Sequence, residues 1–148
     1  MTDVMGALKQ ENGQGPKMNS VQIIQKSTEG QLGTMPFNQF LNGLRHLLQN
    51  PNNKLLQIGN SVFLIKQTVP GEVEVHTFSA ENPQQLVENY KGLAKVLKNQ
   101  GIKKARSYAD SPAYARIAKM SGLPVQVKQT QKMVGNQMKP MYEFEMVF

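Results

Sequence analysis

The side chains that could carry covalent or metal chemistry are few in this sequence. It contains no cysteine, which excludes thiol nucleophiles, disulfides and cysteine-ligated zinc. Its two histidines, His46 and His76, lie far apart in the chain and make a poor basis for a metal site. His46 stands beside Arg45 in a helical pattern and is most simply a surface residue. We therefore expect no metal centre.

The basic residues are the second group that could have a chemical role. Residues 1–90 carry six Lys/Arg against seven Asp/Glu, whereas residues 91–148 carry eleven against three, so the net charge of +7 is concentrated in the second part. Such an excess can mark a surface for nucleic acid, an acidic protein or a phosphorylated cofactor, although a solvated face is the simpler interpretation. The residues that would neutralise phosphates are Lys103, Lys104, Arg106, Arg116 and Lys119. No nucleic-acid-binding motif accompanies them.

A chain of this size forms one domain, here with a short arm before it. With 148 residues it can bury about two-thirds of the surface that its unfolded form exposes. Residues 1–18 are rich in Gly, Gln, Asn and Lys without apolar periodicity, which predicts a flexible arm, and residues 19–148 then form the domain. The sequence has no apolar run of membrane-spanning length and no signal-peptide pattern.

The first half of the domain predicts a strand, a helix and a three-stranded meander. Val21, Ile23 and Ile24 suggest a short strand. A helix begins near Thr34, because apolar residues then recur at spacings of three and four: Phe37, Phe40, Leu41, Leu44, Leu47 and Leu48. Three β-rich runs follow, over Lys54–Ile58, Ser61–Val69 and Glu72–Phe78. The last run alternates between a face predicted to be buried and a polar face that carries Glu72, Glu74, His76 and Phe78.

The second half predicts two helices and three strands. The clearest helix has Asn82 as N-cap, Pro83 at its first position and Gly101 just past its end, and its apolar stripe is Leu86, Tyr90, Leu93 and Leu97. A strand over Lys103–Ala109 leads to a short helix, capped by Ser111, whose inner face is Tyr114, Ile117 and Ala118. Two strands around Val134-Gly135-Asn136-Gln137 complete the chain. Methionines cluster there and make this pair a candidate contact region: Met133, Met138, Met141 and Met146.

The order of these elements resembles that of the GNAT-type N-acyltransferases over residues 19–148. The most specific local similarity runs from Asn82 to Leu123, where a long helix ending in KNQGIKKARSYA is followed by SPAYARIAKMSGL. In that family a helix ending in lysine and glycine leads to a strand, and a short helix then ends in glycine and an apolar residue, here Gly122-Leu123. The resemblance implies an α/β (α+β) fold: a GNAT-like mixed sheet with a central antiparallel meander flanked by helices.

The resemblance also implies a cofactor loop, and here the sequence departs from the family pattern. Family members bind acetyl-CoA through a loop whose glycines let N–H groups reach the pyrophosphate at the N-terminus of the long helix. The matching segment, Phe78–Leu86, contains no glycine; Pro83 removes a donor and Glu81 adds a carboxylate. We therefore predict no cofactor. If acetyl-CoA did bind, its contacts would be Ser79, Ala80, Gln84 and Gln85.

Catalytic residues follow from the resemblance only if the chain is active. The family often has a tyrosine acid four residues before the glycine that ends the short helix, and that position here is Ala118. Tyr114, one turn earlier, would then be the acid, although a core role is the simpler interpretation. The base would be Glu72, Glu74 or His76, because family members place a carboxylate or a water-holding group nearby. For these three residues the solvent-facing side of a strand is the simpler interpretation.

Three functions follow as hypotheses. We predict first a catalytically inactive GNAT-like structural or interaction protein, because some tailed bacteriophages carry acetyltransferase-like proteins as virion components; other virion proteins would be its partners. The alternative is an active acetyl-CoA-dependent N-acyltransferase with a divergent cofactor loop, acting on a small amine or a protein amine. The third is a nucleic-acid-binding domain that uses the basic second part. The protein would be cytoplasmic, or packaged into a virion that assembles in the host cytoplasm.

Overall fold

The computed structural model describes residues 18–109, 113–134 and 136–148. Residues 1–17 of the predicted arm, the predicted cap Ser111 and Gly135 of the predicted turn lie outside the described residues. The described helices are α1 Ser20–Ser27, α2 Phe37–Leu47, α3 Pro83–Asn99 and α4 Ala113–Met120. The strands are β1 Asn53–Ile58, β2 Ser61–Val69, β3 Glu72–Ser79, β4 Lys104–Ala109, β5 Val125–Val134 and β6 Gln137–Val147. None of these helices is long and apolar enough to cross a membrane.

The strands form one mixed sheet in the order β1-β2-β3-β4-β6-β5. β1, β2 and β3 pair antiparallel, which confirms the predicted meander, and β6 pairs antiparallel with both β4 and β5. β3 and β4 run parallel, and their pairing covers three residue pairs, from Glu72↔Lys104 to Glu74↔Arg106. β3 then continues to Ser79 and β4 to Ala109. The two central strands are therefore joined at one end and separate toward the other.

Helices cover both faces of the sheet. On one face Leu93 and Leu97 of α3 pack against residues of the meander and β4, among them Leu56, Phe63 and Val75. On the other face α1 and α2 cover a second cluster: Ile23, Ile24, Leu44, Leu55, Val62, Leu64 and Phe78. The face of β3 that was predicted to be polar is therefore only partly polar, because Phe78 is buried beneath these helices.

The predicted signals at the ends of α3 are confirmed. The side chain of Asn82 accepts a hydrogen bond from the N–H of Gln85 at 2.8 Å, and Pro83 occupies the first turn, where no intrahelical donor is needed. Gly101 has a φ of 81°, a left-handed conformation that ends helices without strain when the residue is glycine. These local residues set the length of the helix that carries the predicted apolar stripe.

Two predictions about local structure are wrong. The segment around Val21 is a helix, because Asn19 and Gln22 form a reciprocal capping box and the adjacent Ile23 and Ile24 are both buried on one side. In α4 the predicted inner face contains no buried residue, and Tyr114 is 39% exposed. That face of α4 borders a cavity.

Candidate functional site

The separation of β3 and β4 opens a cavity of about 820 Å³. Its lining comes from both strands, from α3 and α4, and from β6. It includes Val75, His76, Thr77, Tyr90, Leu93, Leu97, Ser107, Tyr108, Tyr114, Ile117, Ser121, Phe144 and Phe148. Apolar side chains make up its walls, and hydroxyl and imidazole groups project between them, which is the usual composition of a small-molecule site.

A second cavity, of about 710 Å³, lies between α2 and the β5–β6 hairpin. Its walls include Met35, Phe40 and Leu47, and its polar residues include Lys66 and Lys132. Five residues border both cavities: Val75, His76, Phe78, Tyr108 and Met141. The two cavities therefore share part of their lining near the gap between the separated strands.

His76 belongs to this shared lining. Its ring meets that of Phe78 edge-on, with centroids 4.7 Å apart, and one side of it is open to solvent. Burial of the rest of the ring, followed by the positive charge of Lys66, lowers the pKa of His76 below 6.5. The imidazole is therefore neutral at neutral pH and able to accept a proton.

The other two predicted bases are engaged in ion pairs. Glu72 lies 3.1 Å from Arg106, whose guanidinium also contacts Glu145 at 2.9 Å. Glu74 lies 2.6 Å from Lys132, a residue of the β5–β6 hairpin. Each carboxylate is thus held in an ion pair with a neighbouring cation and is not free to contact a substrate amine. Of the three candidates, geometry and charge favour the histidine.

Tyrosines line the cavity from the helical side. The hydroxyl of Tyr90 lies 2.8 Å from that of Thr77, and burial raises the pKa of Tyr90 to about 12. Tyr114 of α4 borders the same cavity and is more exposed. The predicted acid and one predicted base, Tyr114 and His76, thus line one cavity. His46 is exposed on α2, as predicted.

Most N–H groups of the segment predicted to contact a cofactor are already hydrogen-bonded to other groups of the protein. The N–H of Ser79 donates to Ser27 Oγ, and that of Ala80 donates to the carbonyl of Asn60. The N–H of Glu81 donates to Ser79 Oγ, and those of Gln85 and Leu86 donate to Asn82. Gln84 is exposed on the first turn of α3. A diphosphate needs several N–H donors directed at it, and most of the donors in this segment have internal partners. The residues present do not fit the diphosphate of acetyl-CoA.

A buried amide that the sequence reasoning missed organises this segment. Asn89 is 1% exposed, and its Nδ2 donates to Ser61 Oγ and to Glu81 Oε2, each at 2.9 Å. The side chain of Gln85 donates to Asn89 Oδ1 at 3.1 Å. The signal for it was a polar residue at helical spacing between Leu86 and Leu93 on the inner stripe of α3.

The predicted basic residues belong to two parts of the fold. Lys104 and Arg106 belong to β4, where Arg106 already pairs with two carboxylates, and Lys103 precedes that strand. Arg116 and Lys119 are exposed on α4. In the part of the chain that the structure describes, no group of acidic and histidine side chains could hold a metal ion.

The methionines of the final strand pair divide into two groups. Met133 and Met138 are paired across the hairpin and are both more than half exposed. Met141 and Met146 border the first cavity instead. The candidate contact region is thereby reduced to the tip of the hairpin.

Similar solved structures agree with one another on the fold. No protein-family model matches the chain, and none of the curated proteins matches it. Among solved structures, a probable GNAT-family acetyltransferase from Chromobacterium violaceum superposes with a TM-score of 0.60 at 16% identity, over 85% of this chain and 76% of that one. A putative ribosomal-protein-serine acetyltransferase from Vibrio cholerae gives 0.61 at 10% identity, over 86% and 88%.

A Bacillus subtilis acetyltransferase solved in complex with CoA is also similar, with a TM-score of 0.51 at 10% identity over 90% of this chain and 95% of that one. Identities this low demonstrate a shared fold and leave the activity to be argued from the site. The chain therefore has the fold of the GNAT acetyltransferases, with a cavity where its two central strands separate.

Proposed function

We propose that the protein is an N-acyltransferase that transfers an acyl group from a thioester to an amine. The observation that carries this proposal is the cavity between β3 and β4, which holds a neutral imidazole and a tyrosine hydroxyl among apolar walls. An acyl transfer to nitrogen must remove a proton from the amine and return one to the departing sulfur. His76 and Tyr114 supply these two functions in one cavity.

His76 is the proposed general base. The amine substrate enters through the second cavity, and its nitrogen meets the imidazole at the gap between the strands. As the C–N bond forms, the imidazole takes the proton that the amine releases. Because its pKa is lowered, His76 is neutral at neutral pH and can therefore accept the proton of the amine.

Tyr114 is the proposed general acid. A bound acyl thioester supplies an activated carbonyl carbon and a sulfur leaving group. As the C–S bond breaks, the Tyr114 hydroxyl protonates the sulfur, and the phenolate then recovers a proton from solvent, to which α4 is open. Tyr90 is less suited to this step, because its hydroxyl is engaged with Thr77 and its pKa is about 12.

A catalytically inactive interaction protein, such as a virion component of a tailed bacteriophage, is the second candidate. The observation that favours it is the closed segment Phe78–Leu86, whose N–H donors are bonded internally. The exposed pair Met133 and Met138 would then be a contact with another virion protein.

Transfer assays with the full chain separate the two candidates. Acetyl-CoA and a short acetyl thioester are offered with a panel of small amines and peptides, and product is followed by mass spectrometry. We expect turnover that falls by about 10²–10⁴-fold in His76→Gln and clearly in Tyr114→Phe, since each removes a proton-transfer group. His46→Gln, on the exposed face of α2, is the matched control and should retain activity. Absence of transfer with every donor and amine would favour the inactive protein.

A further inference from the structure

We propose that the acyl donor of this protein is recognised through its acyl and pantetheine-like portion and gains no affinity from a nucleotide diphosphate. This inference rests on the proposed function and specifies the donor: a thioester for which the nucleotide is dispensable. It follows from three features of the described residues at the N-terminus of α3 and in the adjoining cavity.

The first feature is the commitment of N–H donors. A helix N-terminus binds phosphate when its first N–H groups are free and the backbone ahead of it can wrap the anion. Here Pro83 has no N–H, and the donors of Glu81 and Gln85 are bonded to Ser79 Oγ and Asn82 Oδ1. A diphosphate would have to break these bonds, including the cap that defines the start of the helix.

The second feature is a fixed negative charge. The carboxylate of Glu81 accepts a hydrogen bond from the Asn89 amide, which is itself buried and bonded to Ser61 Oγ. If this carboxylate moved aside for an anion, a buried N–H would lose one of its partners, which opposes the movement. Among the described residues, no lysine or arginine forms a hydrogen bond with Ser79, Glu81, Gln85 or Asn89. The site therefore repels a second anion.

The third feature is that the cavity itself suits the uncharged end of a donor. At about 820 Å³ it has the size of a small-molecule site, and Leu93, Leu97 and Phe144 give it apolar walls. Ser107 of β4 provides a hydroxyl, and so does Thr77 of β3, which is also bonded to Tyr90; such groups suit the amides of a pantetheine-like arm. Affinity thus arises in the cavity and not at the helix terminus.

Calorimetric titration of the full chain with CoA, with pantetheine and with inorganic pyrophosphate tests this inference without an activity readout. We expect dissociation constants for CoA and pantetheine that agree within about threefold, and no competition by pyrophosphate, because the diphosphate makes no favourable contact. Glu81→Gln keeps an acceptor for Asn89 and removes the charge. It should tighten CoA by up to about threefold and leave pantetheine unchanged.

The matched control is Glu88→Gln on the same helix, where Glu88 pairs with Lys91 on the exposed side; it should change neither affinity. CoA binding at least tenfold more tightly than pantetheine would overturn the inference and leave the proposed function standing. If neither compound binds and neither acetylated form supports transfer, the proposed function fails, and the inference fails with it.

Discussion

The three residues predicted as bases differ in their electrostatic surroundings although they alternate along one strand. Arg106 and Lys132 neutralise Glu72 and Glu74, whereas His76 borders both cavities and has a lowered pKa. Desolvation and a neighbouring cation both disfavour the charged imidazole. At the scale of single residues, the assignment of the base thus depends on which charges its neighbours carry.

The pH dependence of activity provides a prediction about His76. Because its folded-state pKa lies below 6.5, kcat/KM should rise with pH through that lowered pKa and reach a plateau near neutrality. Below about pH 6.5 the histidine is protonated in the unfolded chain more than in the folded chain. The group therefore lowers the free energy of unfolding below about pH 6.5, and this effect is absent at higher pH. The rate profile between about pH 5 and pH 8 is the measurement.

In His76→Gln the remaining activity should lose this acidic limb, while His46→Gln should keep it. A midpoint above 6.5 in the parent protein would contradict the assignment, because it would require the charged ring to be favoured.

At the scale of elements, α3 performs two tasks. Its apolar stripe fills the core beneath β1–β3, with Leu93 5% exposed, and the same helix forms one wall of the cavity through Tyr90, Leu93 and Leu97. The β5–β6 hairpin performs a third task, since Lys132 reaches Glu74 on β3 and its ammonium lies 3.6 Å from the centre of the Tyr108 ring. These two elements therefore hold the separated strands from opposite faces.

Packing of α3 leads to a stability prediction. Replacing Leu93 by Ala should lower the free energy of unfolding by about 2–5 kcal/mol, because it leaves a void in a buried cluster. Urea unfolding followed by circular dichroism measures the change. Lys95→Ala, at an exposed position on the same helix, should stay within about 0.5 kcal/mol of the parent protein. A near-neutral Leu93 variant would contradict the packing of α3 on the sheet.

At the scale of the whole molecule, the net charge of +7 is spread over separate elements. Arg106 is paired with two carboxylates within the sheet, while Arg116 and Lys119 are exposed on α4. Nucleic-acid affinity depends on the number of phosphates neutralised together. Because the predicted basic residues belong to separate elements and Arg106 is already paired, we expect weak, non-specific association.

Fluorescence anisotropy with a labelled duplex and a labelled single strand tests the nucleic-acid hypothesis. We expect any binding seen at about 50 mM salt to be weak and to disappear by about 200 mM, because it would arise almost entirely from counterion release, with little non-electrostatic contact to maintain it. The double variant Arg116→Gln, Lys119→Gln should weaken the low-salt signal. Sequence-selective binding that persists at the higher salt concentration would support nucleic acid as the natural partner.

Local signals in the sequence determined much of the fold. Asn82, Pro83 and Gly101 define the ends of α3 because caps act on the turn next to them, and the alternation within β3 set its two faces. The absence of glycine from Phe78–Leu86 likewise indicated a segment unsuited to phosphate, and its internal hydrogen bonds agree with that interpretation.

Only the tertiary structure decided the rest, because those outcomes depend on contacts between residues far apart in the chain. The apolar segment around Val21 became a helix where burial of Ile23 and Ile24 in the second core cluster favoured it over the strand that its β-branched residues suggested. The sheet order β3-β4-β6 brought Arg106 between Glu72 and Glu145, and the packing of the β5–β6 hairpin brought Lys132 to Glu74. Spacing along the sequence contains no information about such pairings, so the choice of His76 among three candidates could come only from the folded chain.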